Sequence, residues 1–337
     1  MSSLLKSACA ALLVLAAGCQ PGSDASKDAE TDAAPSEGAP EIVGLPIAHI
    51  LSGKVALNAD DGAISIIDIE PLLAAPTYQN QPTFLQLDDG RFYYVAGNEN
   101  DKTDLWVYDL SSGEKSQVTQ TPEKSEFSPK PAPGGGVSFI QESEDGEMTR
   151  VHALRESGDA GAAVIETGPV GYYEWLQGGS TVAVFYRSEP PMLQFVDVAT
   201  GEARDIFENV GRVLLASPDG ATLFAARGDG SGQDGGAGQY EIVAVDVASG
   251  AAEPVLDLPP GAQDFFLVFG EGGLPVMAYS SMGTQLMTYD FASDSIWHAA
   301  ADIGALGYDA ITRVSVANAP DKDGNLPIVF VAHPSEE

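Results

Sequence analysis

The chain has 337 residues, 44% of them hydrophobic, and carries a formal charge of −33 from 16 Lys and Arg against 49 Asp and Glu. That length supports one large repeat domain or two ordinary ones, and so acidic a surface repels nucleic-acid phosphates and anionic lipid headgroups, which excludes a nucleic-acid partner. Both cysteines, Cys9 and Cys19, lie at the N-terminus, so the domain downstream has no disulfide, thiolate nucleophile or Cys-ligated metal and must be stabilised by its core.

Residues 1–18 read as a signal peptide: Lys6 supplies the cationic start, and Ala8 to Leu15 form an apolar run too short to span a bilayer. Leu15-Ala16-Ala17-Gly18-Cys19 resembles the lipobox of bacterial lipoprotein signals, with Ala16 where that pattern prefers Leu. Small residues let a peptidase reach the backbone, and the Cys19 thiol would become a thioether to diacylglycerol. Acyl chains at about 0.8 kcal/mol per buried CH₂ would then hold the protein to a membrane. Gln20, rather than Asp, follows the cysteine. By resemblance to Gram-negative lipoprotein sorting, this favours the periplasmic face of the outer membrane. Residues 19–41 carry six acids against one Lys and no aromatic or branched aliphatic residue. Such a stretch is expected to be a disordered acidic tether, spanning roughly 25 Å as a flexible coil.

Residues 42–337 form the expected folded domain, and from about residue 60 they repeat with a period that points to a β-propeller. A Gly-containing turn between apolar runs recurs at Leu87-Asp88-Asp89-Gly90, Ala132-Pro133-Gly134-Gly135, Leu176-Gln177-Gly178-Gly179, Ser217-Pro218-Asp219-Gly220, Gly270-Glu271-Gly272-Gly273 and Ala319 to Gly324. These supply the positive φ of tight hairpins. Alternating strands ending in Asp recur at 105–114, 193–202, 242–251 and 286–295, with weaker copies at 64–71 and 149–158. Positions 68, 109, 153, 197, 246 and 290 are taken as equivalent, spaced by 41, 44, 44, 49 and 44, with Ala153 replacing the Asp. Each Asp is expected to cap the following turn. Two hairpins per repeat predict an all-β propeller of four-stranded blades. The first strand pair, 63–79, reads as an outer hairpin and the last, 312–333, as an inner one, so the chain ends should share a blade and close a six-bladed ring. Residues 42–58 remain over and leave seven blades open.

The segments 104–136 (DLWVYDLSSGEKSQVTQTPEKSEFSPKPAPGGG) and 214–228 (LLASPDGATLFAARG) resemble repeats of the TolB-like, WD-repeat-like β-propellers. The resemblance covers about residues 62–333. It implies a six-bladed propeller with a periplasmic scaffolding or protein-binding role. TolB itself carries an α/β domain before its propeller and an unlipidated N-terminus, and this chain departs from it in both.

Catalytic motifs are absent. His49, His152, His298 and His333 fall outside metal-ligand spacing, and no nucleophile elbow or Walker loop occurs. The Gly-rich run 229–236 precedes no helix, as a phosphate cradle would require. Asp321-Lys322-Asp323-Gly324-Asn325 lacks the closing Glu of a calcium loop and reads as a hairpin turn. No cofactor is expected, a weak calcium site among the acidic loops being the one left open. The segments leading into the inner strands are the candidate binding surface: Tyr78, Asn80, Glu126, Tyr172, Tyr173, Glu174 and Trp175, with Arg187 on the following strand. An acid, an arginine and several aromatics there suit recognition, against the alternative that Trp175 serves blade packing. The expected protein is therefore a monomeric, non-enzymatic binding or scaffolding lipoprotein. It would contact an envelope protein, peptide or glycan through the channel mouth and the membrane only through lipid. The alternative is a hydrolase or lyase using paired channel carboxylates on a sugar-like substrate.

Overall fold

The computed structural model describes residues 45–57, 63–85, 90–154, 160–231 and 238–335. The signal segment, Cys19, the tether to residue 41, Leu87-Asp88-Asp89 and most of the Gly-rich run lie outside them. Among the described residues the secondary structure is β-strand apart from 3₁₀ turns, arranged as six antiparallel sheets. The first blade is β3 (Gln79–Phe84), β4 (Arg91–Gly97), β5 (Thr103–Asp109) and β6 (Lys115–Gln117). The second is β7 (Glu126–Pro131), β8 (Val137–Glu142) and β9 (Thr149–Ala153), with residues 160–165 running beside β9 through a bond from Val164 N to Val151 O. The third comprises β10 (Val170–Leu176), β11 (Thr181–Tyr186), β12 (Met192–Asp197) and β13 (Ala203–Glu208). The fourth comprises β14 (Val210–Ala216), β15 (Thr222–Gly228), β16 (Tyr240–Asp246) and β17 (Ala252–Asp257). The fifth comprises β18 (Phe265–Phe269), β19 (Pro275–Met282), β20 (Gln285–Asp290) and β21 (His298–Asp302).

The sixth blade joins the ends of the described chain. Its order is β22 (Tyr308–Val316), β23 (Leu326–Pro334), β1 (His49–Leu57) and β2 (Ile64–Leu73). Residues 49–57, left over in the sequence, are its third strand, so six blades account for the whole ring and the seventh falls away. The outer hairpin is 49–73 rather than 63–79. Asp68 is therefore out of phase with the other repeat positions: Asp109, Asp197, Asp246 and Asp290 end third strands, whereas Asp68 lies within a fourth strand and pairs with Lys54 at 2.9 Å. Alternation with a period of two looks the same in either strand, which is why the sequence alone misassigns it. The four in-phase aspartates do cap their turns. Asp109 accepts from the backbone of Ser111 and Ser112, Asp197 from Thr200, Asp246 from Ser249 and Asp290 from Ala292.

The same alternation explains the ring. In β11, Val182 and Val184 pack toward the second blade, while Ala183 and Phe185 pack toward the fourth. In β23, Ile328, Phe330 and Ala332 face the fifth blade, and Val329 and Val331 face the first. Each of six apolar clusters thus lies between two successive blades, and each middle strand is buried on both faces. The outermost strands are the most exposed, as in the fully exposed β6. Removing the buried Phe330 side chain in the closing blade should leave a cavity between the fifth and sixth blades. We expect Phe330→Ala to lower unfolding free energy by about 3–5 kcal/mol, measured by denaturant titration, with a native-like β spectrum retained in water.

Candidate functional site

The six inner strands converge on one cavity of about 150 Å³ at the channel mouth, lined by residues from every blade. What opens it is a set of bulges. The pairing register slips between Asn80 and Thr83 in β3, Phe127 and Lys130 in β7, Val170 and Tyr172 in β10, Val210 and Leu214 in β14, and Thr312 and Ser315 in β22. A bulge frees residues from the ladder and re-aims their side chains. At three of these points a residue other than glycine takes the left-handed conformation: Gln81 (φ 55°), Ser128 (φ 52°) and Arg313 (φ 56°). All three line the cavity. Gly211 fills the corresponding point of β14, where an added Cβ would stand 2.6 Å from Ala226 Cβ.

Charges from separate blades meet in this ring. Lys130 Nζ lies 2.6 Å from Glu174 Oε2. Arg212 grips Asp264 side-on, its Nε 2.8 Å from Oδ1 and its Nη2 on Oδ2. Arg313 reaches the same Oδ1 at 3.5 Å, donates to the Tyr172 hydroxyl at 2.8 Å and lies over the Tyr172 ring, 5.0 Å from its centroid. Burial pushes the Asp264 carboxyl up, but Arg313 and Arg212 outweigh it and hold it below the usual carboxylate range. Burial, and then Arg212, lowers the His333 imidazole. Burial raises the Tyr78 phenol to about 12 against the opposing pull of Arg313 and Arg212, which places Tyr78 beside the same cluster.

The residues singled out in the sequence divide by blade and by face. Tyr78, Tyr172 and Glu174 belong to the mouth cluster. Arg187 is exposed, above Gly171 at the mouth end of the third blade, and its N–H bonds Pro169 O at 2.9 Å. Asn80 is buried and accepts from the N–H of Gln81, steadying the bulge. Tyr173 also borders the cavity, but its ring and that of Trp175 turn the other way. Both donate to Ser138 Oγ, at 2.8 and 2.7 Å, and both belong to the cluster between the second and third blades. Glu126 is wholly buried between the first and second blades, where Thr119, Thr121 and Gln141 donate to its carboxylate. Lys130, Arg212, Asp264 and Arg313 escaped sequence reasoning. The signal was available in the inner strands set in register, as Asn80-Gln81-Pro82, Phe127-Ser128-Pro129, Val210-Gly211-Arg212 and Thr312-Arg313-Val314.

A larger hollow of about 470 Å³ lies beside the second blade, lined by Lys124, Glu142, Glu144, Arg150 and His152 among others. Its ions pair at the surface, Lys124 with Glu144 at 3.8 Å and Lys102 with Glu142 at 3.0 Å, where such pairs are weak. Asp321 Oδ1 accepts the N–H groups of Asp323 and Asn325, as in a hairpin turn. Among the described residues no three metal-ligating side chains gather, and no helix is long and apolar enough to cross a membrane.

No protein-family model and no curated protein matches the sequence, but solved structures match the fold. The architecture is shared with TolB. A putative TolB from Agrobacterium tumefaciens superimposes with a TM-score of 0.54 at 13% identity, over 85% of this chain and 98% of that one. TolB from Acinetobacter baumannii gives 0.51 at 14% identity over 86% of this chain, which spans 65% of that protein's length. Oligogalacturonate lyase from Vibrio parahaemolyticus gives 0.47 at 11% identity, over 86% and 98%. At these identities the likeness concerns the fold, and function must be argued from the site.

Glu126 should make the stability of the propeller depend on pH. Burial raises its carboxyl from 4.5 to about 7, against the hydrogen bonds from Thr121 and Gln141. A carboxyl raised on folding gives stability that is complete below 4.5 and lost as pH rises through about 7. Glu126→Gln should remove that slope, on the order of 3 kcal/mol, in denaturant titrations across the range. An unchanged slope would place the proton elsewhere.

Proposed function

We propose that this protein is a non-enzymatic binding lipoprotein of the bacterial envelope. It is tethered through lipid on Cys19 and engages an envelope protein, peptide or glycan at the mouth of its channel. The observation that carries the reading is the convergence of Gln81, Ser128 and Arg313. These are left-handed residues on three different blades, and all line one cavity. Such backbone costs roughly 1–3 kcal/mol each and collects where a ligand is held. Tyr172 and the Arg313 guanidinium stacked on it provide an amphipathic anchor of the kind that concentrates binding energy. The TolB fold, the lipobox-like segment and the acidic tether support the envelope setting.

The sugar-cleaving alternative asks for two channel carboxylates with opposed protonation, one able to donate a proton. Glu174 and Asp264 stand on different blades, each engaged by a cation, and Asp264 is held ionised by two arginines. That chemistry favours positioning over proton transfer.

Two measurements test the proposal. Cys19→Ser should abolish acyl modification of the mature protein and move it from the membrane to the soluble fraction. A photo-crosslinker at Arg187, on the mouth rim, should capture an envelope component from intact cells. Capture that is absent at the rim while a crosslinker on the outer strand β6 gives products would overturn binding at the mouth.

A further inference from the structure

The mouth cluster has an electrostatic sign opposite to that of the molecule. Among the described residues Lys130, Arg212 and Arg313 meet two carboxylates there, Glu174 and Asp264, so one positive charge is in excess inside a chain of net charge −33. Arg212 spends Nε and Nη2 on Asp264, and its Nη1 has no acceptor among the described residues. Ser128 lines the same cavity and is buried, and its Oγ has no hydrogen-bond partner among the described residues. A buried hydroxyl without a partner costs free energy that a bound acceptor would recover. Guanidinium donors and a hydroxyl around a small cavity are the chemistry that recognises a carboxylate.

The geometry points to a carboxylate-binding subsite at the channel mouth, in which Arg212 and Ser128 take the C-terminal carboxylate of a peptide chain. The walls beside these donors decide between a peptide end and a uronic acid. Pro82, Pro129, Phe265 and Val314 are apolar. They suit an apolar terminal side chain better than a uronate ring that carries hydroxyls around its edge. Asp264 serves as the positioning residue, since its two oxygens fix the plane of the Arg212 guanidinium.

This inference rests on the reading of the mouth as a binding site, and its test separates the two. The full-length protein is titrated by NMR with acetyl-trialanine bearing a free C-terminal carboxylate, with the same peptide as its C-terminal amide, and with glucuronate. The acid should bind about tenfold more tightly than the amide, the gain expected of a hydrogen bond to a charged group. Arg212→Gln should erase that preference. Ser128→Ala removes a group with no partner in the fold, so its melting temperature should hold while acid affinity falls about threefold, which keeps the test valid if the arginine variant misfolds. Equal binding of acid and amide would overturn the carboxylate subsite and leave the mouth as a binding site. Binding of neither peptide would overturn it too, with the rim crosslink still deciding the wider reading. Glucuronate binding more tightly than the acid peptide would overturn the peptide assignment.

Discussion

Pairing of β1 with β23 holds the two ends of the propeller together, and the rest of the structure depends on it. The ladder runs without a slip from His49 opposite Ala332 to Val55 opposite Leu326. Without it the sixth blade would be a lone inner hairpin, and the clusters on its two faces would each lose part of one wall. Those faces bury Leu51 and Phe330 toward the fifth blade and Ile50 and Val331 toward the first. Because each blade packs only on its neighbours, a gap at one interface leaves two exposed apolar faces. A closed ring has none. The outer strand β2 covers this seam on the outside.

Closure also brings the channel charges together. Arg313 arrives on the last inner strand and Asp264 on the one before it, and the bond between them crosses a blade boundary. Asp264 is almost fully buried, so its charge is tolerable only with the two guanidinium groups beside it. The arginines in turn tolerate each other because the carboxylate stands between them. The Tyr172 hydroxyl accepts a bond from Arg313 Nη2 across the channel. The mouth is thus lined by a polar cluster on an apolar frame, with Lys130 and Glu174 extending it toward the second and third blades.

The propeller itself was legible in the sequence, because Gly turns, alternating strands and Asp caps recur in phase. The Asp caps kept their meaning at 109, 197, 246 and 290, where the side chain satisfies the next turn from within its own segment. Asp68 shows the limit: alternation marks a strand without saying which strand of the blade it is. The site was legible only in its first half. Tyr78, Tyr172 and Glu174 stand in aromatic, acidic segments that draw the eye, whereas Arg212, Asp264 and Arg313 look like isolated charges in apolar strands. Their partners are 49 to 141 residues away in the chain, and only the ring brings them within reach. Glu126 resembled a contact residue because it sits at the start of an inner strand. Which way it faces depends on the bulge after it, and a bulge has no periodic signature.

One feature of the closing blade bears on mechanics. The chain comes into β1 at the mouth end, where Ala48 exchanges backbone bonds with Thr77 and Gln79 and His49 touches the Tyr308 hydroxyl at 3.1 Å. Tension applied from upstream of Leu45 would therefore act along β1, parallel to its length. Its ladders to β2 on one side and β23 on the other would be loaded in shear, with all their bonds sharing the force at once. A propeller pulled from that strand resists being unzipped one bond at a time.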